Sequence, residues 1–221
     1  ATALTRSADG GLDHGPNKAP EGYQKYLHKF EIQTVTATAA VNTFELLDYL
    51  MFYPGIAMDT GEQALTTNIT LPRYTDARGV MIMAIEQNPY VGNSTFRITY
   101  TNQDGLAGQL TPILRCNTQV SAGTIATSAL ATAGCCGRYI SLATGDSGVR
   151  AIDSIEFFTP DVGLICLVLV KPLATVSIFE NTRPNYFDLY NDFSVLPQIK
   201  DDAYLNMICM PTGTLAGAQI I

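Results

Sequence analysis

A serine placed between glycines and beside an aspartate is the arrangement in this sequence best suited to chemistry. It occurs at Gly145-Asp146-Ser147-Gly148. A serine hydroxyl becomes a nucleophile when a histidine takes its proton, and nearby backbone amides can hold the oxyanion that then forms. On this hypothesis Ser147 attacks a carbonyl carbon, and the amides of Gly145 and Ser147 stabilise the intermediate.

A nucleophilic serine also needs a base and a carboxylate that orients it. His28 is the candidate base, and Asp48, Asp59 or Asp76 is the candidate orienting residue. This His–Asp–Ser order and the Gly-Asp-Ser-Gly run resemble chymotrypsin-like serine proteases, which are also all-β and of similar length.

The resemblance to the proteases is incomplete. Val149 stands where that family has a further glycine, and His28 lies in YLHKF instead of the family's Ala-Ala-His-Cys context. Gly-Asp-Ser-Gly is also a favourable turn sequence, because Asp and Ser side chains bond nearby amides. We therefore predict a turn at 145–148 and no enzyme activity, with a serine hydrolase that uses Ser147 as the last alternative.

No metal or cofactor site is predicted. His14 lies close to Asp9 and Asp13, but in a segment of Gly and Pro where such side chains are usually solvated. The sequence has no HExxH motif, no calcium-binding loop and no glycine-rich phosphate loop. We therefore expect no cofactor, and neither a catalytic nor a structural metal.

The five cysteines do not suggest a disulfide framework. Cys166 and Cys209 stand in apolar runs, where cysteine behaves as a small hydrophobic residue. Cys135 and Cys136 are adjacent, a spacing that bridges only with strain. No Cys-x-x-Cys pair occurs, so reduced thiols are expected.

The charge balance excludes two classes of partner. The 221 residues carry 13 Lys and Arg against 20 Asp and Glu, a net charge of −7. Nucleic acids and anionic membranes both require clustered cations. The best basic cluster is Arg73–Tyr74 with Arg78, and Asp76 offsets it. We therefore predict no nucleic-acid partner and no membrane partner.

Two helices and an N-terminal arm are predicted beside the strands. Residues 1–30 form a polar arm that ends in the aromatic group Tyr23, Tyr26 and Phe30. Apolar residues at helical spacing predict a short helix over 44–53, and a second short helix is predicted over 186–193. The uncharged stretch near 116–137 is predicted as an extended loop.

The rest of the chain has the pattern of an all-β protein. Short runs rich in β-branched and aromatic residues alternate with turn dipeptides, and together they predict an antiparallel β-sandwich, jelly-roll-like, as a single domain over 31–221. The predicted strands are 31–39, 65–71, 79–86, 94–101, 109–116, 138–143, 151–158, 162–171, 174–180 and 203–210.

Several longer strings carry a second resemblance. They are LPRYTDARGVMIM (71–83), ITYTNQDGLAG (98–108), ISLATGDSGVRAIDSIEF (140–157), LVLVKPLATV (167–176) and NYFDLYNDFSVLPQIKDDAYLNM (185–207). In this order they resemble tailed-phage virion proteins of the head decoration or cement type. The resemblance covers roughly residues 40–210, and the arm at 1–30 departs from it.

The resemblance implies a non-enzymatic capsid decoration (cement) protein that bridges and stabilises subunits of the major capsid protein. It would be a homo-oligomer, either a dimer or a trimer, made in the host cytoplasm and placed on the capsid surface of the virion. Candidate interface residues are Tyr23, Tyr26 and Phe30 in the arm, and Thr124, Ile125 and Ala126 in the loop. The main alternative is a tail or fibre module that binds a host glycan.

Overall fold

A computed structural model describes residues 1–17, 23–33, 42–59, 61–65, 67, 69–116, 122–127, 137–179, 183–192 and 196–211. In chain order the elements of these ranges are β1 (Thr2–Ala3), α1 (Arg6–Asp9), β2 (Lys25–Tyr26), β3 (Lys29–Ile32), β4 (Asn42–Ala57), β5 (Glu62–Ala64), β6 (Met81–Asn88), β7 (Thr95–Asn102), β8 (Gln109–Leu110), β9 (Leu114–Arg115), β10 (Val149–Phe157), β11 (Leu164–Ile178), β12 (Asn185–Asp188), α2 (Leu189–Asp192), β13 (Gln198–Ile199) and β14 (Leu205–Pro211).

The protein is all-β with antiparallel sheets, as the sequence predicts. The chain divides into two compact units. Unit 1 contains Ala1–Thr5 and Tyr49–Lys171, and unit 2 contains Arg6–Asp48 and Pro172–Ile221. This division differs from the predicted arm of residues 1–30 followed by one domain over 31–221, since neither unit begins at residue 31.

Unit 1 is a sandwich of two sheets. One sheet has the order β1, β4, β11, β6, and the segment 123–126 continues it through backbone bonds to β6. The other sheet has the order β5, β10, β7, with β8 and β9 both on the outer side of β7.

The strand pairing of unit 1 is that of a jelly roll. Among the described residues, the sandwich has eight strands in chain order when β1 is left out, β8 and β9 count as one strand, and segment 123–126 counts as a strand. The first strand then lies beside the last (β4 and β11), the second beside the seventh (β5 and β10), the third beside the sixth (β6 and 123–126), and the fourth beside the fifth. Except for the fourth and fifth, which are neighbours in one sheet, consecutive strands lie in opposite sheets, so the connecting loops cross the ends of the sandwich.

The core of unit 1 lies between its sheets. In β7, buried Phe96, Ile98 and Tyr100 alternate with half-buried residues, as expected for a strand with one face on the core. Opposite them, Leu167 and Leu169 of β11 are fully buried. Burial of these apolar side chains is the main force that holds the two sheets together.

The helix predicted over 44–53 is wrong, because these residues belong to β4. Phe44, Leu47 and Leu50 have helical spacing, but Leu46 and Tyr49 between them are buried as well. Apolar residues stand on both faces of this buried strand, interrupted by the buried Glu45 and Asp48, and some of them match a helical spacing by chance.

The other segments follow the sequence prediction more closely. The strands predicted at 162–171 and 174–180 are one continuous strand, β11. The predicted strand 138–143 and the described residues of 65–71 form no strand. Their apolar residues, including Ile140 and Leu142, still pack on the core of unit 1, which explains the apolar pattern. Of the helix predicted over 186–193, residues 189–192 form α2, whereas residues 186–188 belong to the strand β12.

In its described residues, unit 2 contains residues 42–48 of β4, residues 172–178 of β11, whose Ser177 hydroxyl bonds to that of Thr43, and three antiparallel pairings. β14 pairs with residues 42–48 of β4, β12 with β3, and β13 with β2. Two small apolar clusters lie among the described residues of unit 2, and the side chain of Phe30 in β3 packs against both. Most of the predicted loop near 116–137 lies outside the described residues. Residues 34–39 of the first predicted strand also lie outside them.

Candidate functional site

A turn closes over 143–146 and includes Gly145 and Asp146 of the predicted turn at 145–148, whereas Gly148 forms a β-bridge with Arg78; the end of β7 holds the turn. The amide of Asp146 donates to the carbonyl of Ala143 at 3.0 Å. The carboxylate of Asp146 accepts hydrogen bonds from the Tyr100 hydroxyl at 2.6 Å and from the Asn102 amide group at 2.8 Å. Burial, and then the bond to Asp146, raises the pKa of Tyr100 to about 12, so this hydroxyl is a donor at neutral pH.

One of the two amides that the hydrolase hypothesis requires, that of Ser147, is already bonded to a side chain of the protein. The side-chain oxygen of Gln103 accepts hydrogen bonds from the amide of Ser147 at 2.9 Å and from the amide of Gly148 at 3.1 Å. The Ser147 amide was one of the two donors of the predicted oxyanion hole. Gln103 therefore occupies the position where a substrate oxygen would have to bind.

Two other candidate residues of a triad, His28 and Asp48, have local partners of their own. His28 lies in unit 2, with its Nε2 atom 3.9 Å from the Asp188 carboxylate and its ring edge-on to Tyr190. Asp48 also lies in unit 2, where its carboxylate is buried and accepts a bond from the Tyr204 amide. These contacts assign His28 and Asp48 to the packing of unit 2.

The residues considered for metal binding are engaged in ion pairs and hydrogen bonds. Asp13 pairs with Arg6 at 3.0 Å and accepts a bond from the amide of Gly15. Both ring nitrogens of His14 have partners within unit 2. Among the described residues, no group of three or more His, Cys, Asp or Glu side chains could hold a metal ion.

The arginines of the basic cluster, Arg73 and Arg78, contact neighbouring groups of unit 1. Arg73 is buried and donates hydrogen bonds to the carbonyls of Leu4 and Tyr49 at 3.0 and 2.9 Å. It thereby fixes β1 beside β4 within unit 1. Arg78 lies 3.6 Å from the Asp104 carboxylate.

Two of the cysteines behave as predicted from their apolar surroundings. Cys166 is buried in β11, and burial raises the pKa of its thiol to about 11. Cys209 is half-buried, and burial raises the pKa of its thiol as well. Raised pKa values keep both sulfurs protonated and poorly nucleophilic at neutral pH.

Unit 1 also has a pocket of about 350 Å³. It is lined mainly by threonine and aliphatic side chains, with one charged residue, Arg150, whose Nε atom donates to the carbonyl of Gln103. The described lining residues include no His, Asp or Glu side chain that could act as a general base. The lining residues are Thr67, Ile69, Thr70, Leu71, Thr75, Arg150 and Ala151.

The predicted interface residues differ in how accessible they are. The side chains of Tyr23 and Tyr26 are exposed, at 66% and 48%, and Phe30 is half-buried. Thr124 and Ile125 are half-buried, while Ala126 is fully buried and its amide donates to the carbonyl of Ala84. The side chain of Ala126 is therefore part of the core and is not available to a partner.

A better candidate contact surface is formed by three loops at one end of the jelly roll. These loops follow β4, β6 and β10. The amide of Met58 donates to the carbonyl of Gly163, and the amide of Asp161 donates to the carbonyl of Met58. The loops are thus joined by backbone bonds, which fixes their relative positions.

The carboxylate of Asp161 completes this arrangement. It accepts hydrogen bonds from the amides of Val91 at 3.2 Å, Gly92 at 2.7 Å and Val162 at 2.7 Å. One side chain therefore holds the backbones of two loops on which aliphatic residues point outward. Val91 is 75% exposed and Val162 is 61% exposed.

Phe158 stands in the same loop, three residues before Asp161, and is also exposed. Its ring is 43% exposed and lies against the guanidinium of Arg97 at 5.5 Å. Its amide donates to the carbonyl of Thr95. We call Val91, Phe158, Asp161 and Val162 the three-loop surface, because the loop after β4 supports the two loops that carry them through the backbone of Met58.

Sequence reasoning missed the three-loop surface, although a signal was present. Val91 and Val162 stand in turn segments, NPYVGN and TPDVG, which otherwise contain only polar, glycine, proline and aromatic residues. An isolated valine in such a turn has no strand neighbours to cover it. Large apolar residues on ordered loops are typical of protein contact sites.

Neither of the two helices in the described ranges, four residues each, is long enough to cross a membrane. Comparison of the chain with protein-family models, curated proteins and solved structures finds no match.

Proposed function

We propose that this chain is a non-enzymatic structural protein of a bacteriophage virion, a capsid decoration protein that binds and stabilises subunits of the major capsid protein. The observation that carries the proposal is the three-loop surface, a rigid and partly apolar end of a jelly roll. The resemblance of five sequence strings to head decoration proteins gives the proposal its biological setting.

The fold is compatible with this role but does not decide it. Jelly rolls occur in viral capsid proteins, in lectins and in cupins. The same architecture hosts unrelated functions, so the function has to be argued from a site. In unit 1 the polar groups around Ser147 are bonded to one another, whereas Val91 and Val162 are left in contact with water.

The three-loop surface has the physical features of a binding site for protein. Burial of one valine or phenylalanine side chain contributes roughly 1.5–3 kcal/mol. The Asp161 bonds hold the loops in place before binding, so little conformational entropy is lost when a partner docks. A decoration protein that binds only the assembled shell stabilises the shell by mass action.

The proposal is tested by co-sedimentation of the purified chain with capsids of the phage that encodes it. The double variant Val91→Asp/Val162→Asp is expected to bind at least about tenfold more weakly, because it places charges in the apolar contact. Both side chains are exposed in the chain alone, so the variant is expected to stay folded.

The matched control is Leu106→Asp. Leu106 is also exposed, at 60%, and lies in the tight turn after β7, at the other end of that strand from Thr95. This variant is expected to bind like the wild type. If the wild-type chain stays in the supernatant or binds only tails, the decoration role is overturned. If all variants bind equally well, the three-loop surface is not the contact site.

A further inference from the structure

Residues 6–17 of unit 2 are held against the turn that precedes β14. The hydroxyl of Ser7 donates to the carboxylate of Asp202 at 2.7 Å, and the amide of Asp202 donates to the side-chain oxygen of Asn17 at 2.8 Å. The amide of Leu12 donates to the carbonyl of Leu205 at 2.8 Å. We call residues 6–17 the docked segment.

His14 stands at the centre of these contacts, and both of its ring nitrogens have partners. Its Nε2 atom lies 3.1 Å from the carbonyl oxygen of Ala203, in the turn. Its Nδ1 atom lies 2.9 Å from the Nζ atom of Lys25, in β2. The half-buried imidazole therefore links the docked segment to the turn and to β2.

These two partners fix the protonation state of the ring. A lysine ammonium has three donors and no acceptor, so Nδ1 must accept its hydrogen bond through a lone pair. A carbonyl oxygen only accepts, so Nε2 must carry the proton and donate it to Ala203. The bonded ring is consequently the neutral form, and a proton added at Nδ1 removes the bond to Lys25.

We propose that His14 is an acid-sensitive latch: the neutral imidazole ties the docked segment to β2 and to the turn before β14, and its protonation loosens the segment. After protonation, the imidazolium and the Lys25 ammonium would be two cations 2.9 Å apart, with no hydrogen bond between them. Two unit charges at that distance repel each other, and the half-buried position weakens solvent screening.

The charged groups around His14 come from three elements. The docked segment contributes Arg6 and Asp13, which pair with each other at 3.0 Å. β2 contributes Lys25, whose Nζ atom also donates to the carbonyl of Pro16 and lies 3.8 Å from the Asp201 carboxylate. The turn contributes Asp201 and Asp202, and the Asp202 carboxylate is bonded to Ser7.

The electrostatics agree with the geometry. Burial first, and then the charges of Lys25 and Arg6, hold the pKa of His14 below its ordinary value of 6.5. A folded-state pKa below the unfolded value means that the unfolded or undocked form binds the proton more readily. Docking is therefore fully stabilised above about pH 6.5 and is weakened as the pH falls through the lowered pKa of the docked state.

The test is amide hydrogen exchange of residues 6–17 at pH 7 and pH 5, corrected for the intrinsic pH dependence of exchange. The wild-type segment is expected to lose protection at pH 5. In His14→Gln the amide group can donate to Ala203 and accept from Lys25 without titrating, so protection is expected to change little between the two pH values.

His28→Gln is the matched control, because His28 is the other histidine of the chain and its side chain is mostly exposed. It is expected to keep the wild-type pH dependence. The NMR titration of His14 in the wild-type chain gives a second measurement if His14→Gln does not fold. A His14 pKa at or above 6.5, or an unchanged loss of protection in His14→Gln, overturns the latch.

Discussion

The hydroxyl of Tyr100 donates a hydrogen bond of 2.6 Å to the carboxylate of Asp146 and accepts one of 2.8 Å from the amide of Ala143. One phenol, buried at the end of β7, thereby bonds both ends of the turn that leads into β10. The segment that most resembles a catalytic motif is thus tied to its neighbouring strand. Substitution of the bonded residues therefore measures how much these hydrogen bonds contribute to stability.

Replacement of Tyr100 by phenylalanine should destabilise the protein by about 1–3 kcal/mol, because the Ala143 amide loses its acceptor and the Asp146 carboxylate loses one of its donors. Urea denaturation of both proteins measures the difference. Tyr186→Phe is the control, since Tyr186 is exposed on β12, and it should change stability by less than about 0.5 kcal/mol. Equal effects of the two substitutions would contradict the assigned role of Tyr100.

Alkaline pH should destabilise the wild type more than Tyr100→Phe. The pKa of Tyr100 is raised to about 12 in the folded protein, above the ordinary value of 10.0. The stability that follows from this difference is fully present below pH 10 and is lost as the pH rises towards 12, since the unfolded chain releases the proton first. Denaturation at pH 9 and pH 11 measures it. Burial also raises the pKa of Tyr53, which both proteins share. An identical pH dependence in the two proteins would contradict this account.

The two glycines of the Gly-Asp-Ser-Gly segment should differ in their tolerance of alanine. A Cβ atom on Gly148 would lie 1.9 Å from the carbonyl oxygen of Ala77, a backbone atom that cannot move aside alone. Gly148→Ala should therefore cost on the order of 3 kcal/mol or more, by displacement of the chain. Gly145 has a φ of +98° but open space around it, so Gly145→Ala should cost about 1–2 kcal/mol. The reverse order in thermal or urea denaturation would show that the Gly148 contact is not as described.

If the chain were a serine hydrolase, a fluorophosphonate probe would label Ser147, and the geometry around this residue argues against such labelling. Wild-type chain should not react with a fluorophosphonate probe, because the Gln103 side chain occupies the amides of Ser147 and Gly148. Gln103→Ala should cost about 1–3 kcal/mol of stability, since it removes the acceptor of both amides. Ser147→Ala removes only an exposed hydroxyl and should be nearly neutral. Labelling of the wild type that disappears in Ser147→Ala would revive the hydrolase.

The strands with one buried face could be predicted from the sequence. In β7 the alternation of Phe96, Ile98 and Tyr100 with polar residues matches the alternation of burial. In β4, by contrast, apolar residues predominate on both faces, and local spacing alone could not distinguish a strand from a helix. Only the sheets that cover β4 resolve this, and they are assembled from distant parts of the chain.

The candidate site was less predictable than the fold. Tyr23 and Tyr26 are exposed as a contact site requires, but Ala126 is buried, because segment 123–126 completes a sheet that local sequence does not reveal. The three-loop surface depends on bonds between loops far apart in sequence, such as those of Asp161 to Val91 and Gly92. No spacing rule within one loop can predict such bonds.

The most direct test of the proposed function is the copy number of this chain in purified virions, measured by quantitative mass spectrometry against the major capsid protein. A decoration protein that binds equivalent sites of the shell should be present at a fixed ratio set by the lattice, and that ratio should fall when Val91→Asp/Val162→Asp replaces the wild type. Absence from virions, or only the few copies typical of a tail component, would contradict the proposal.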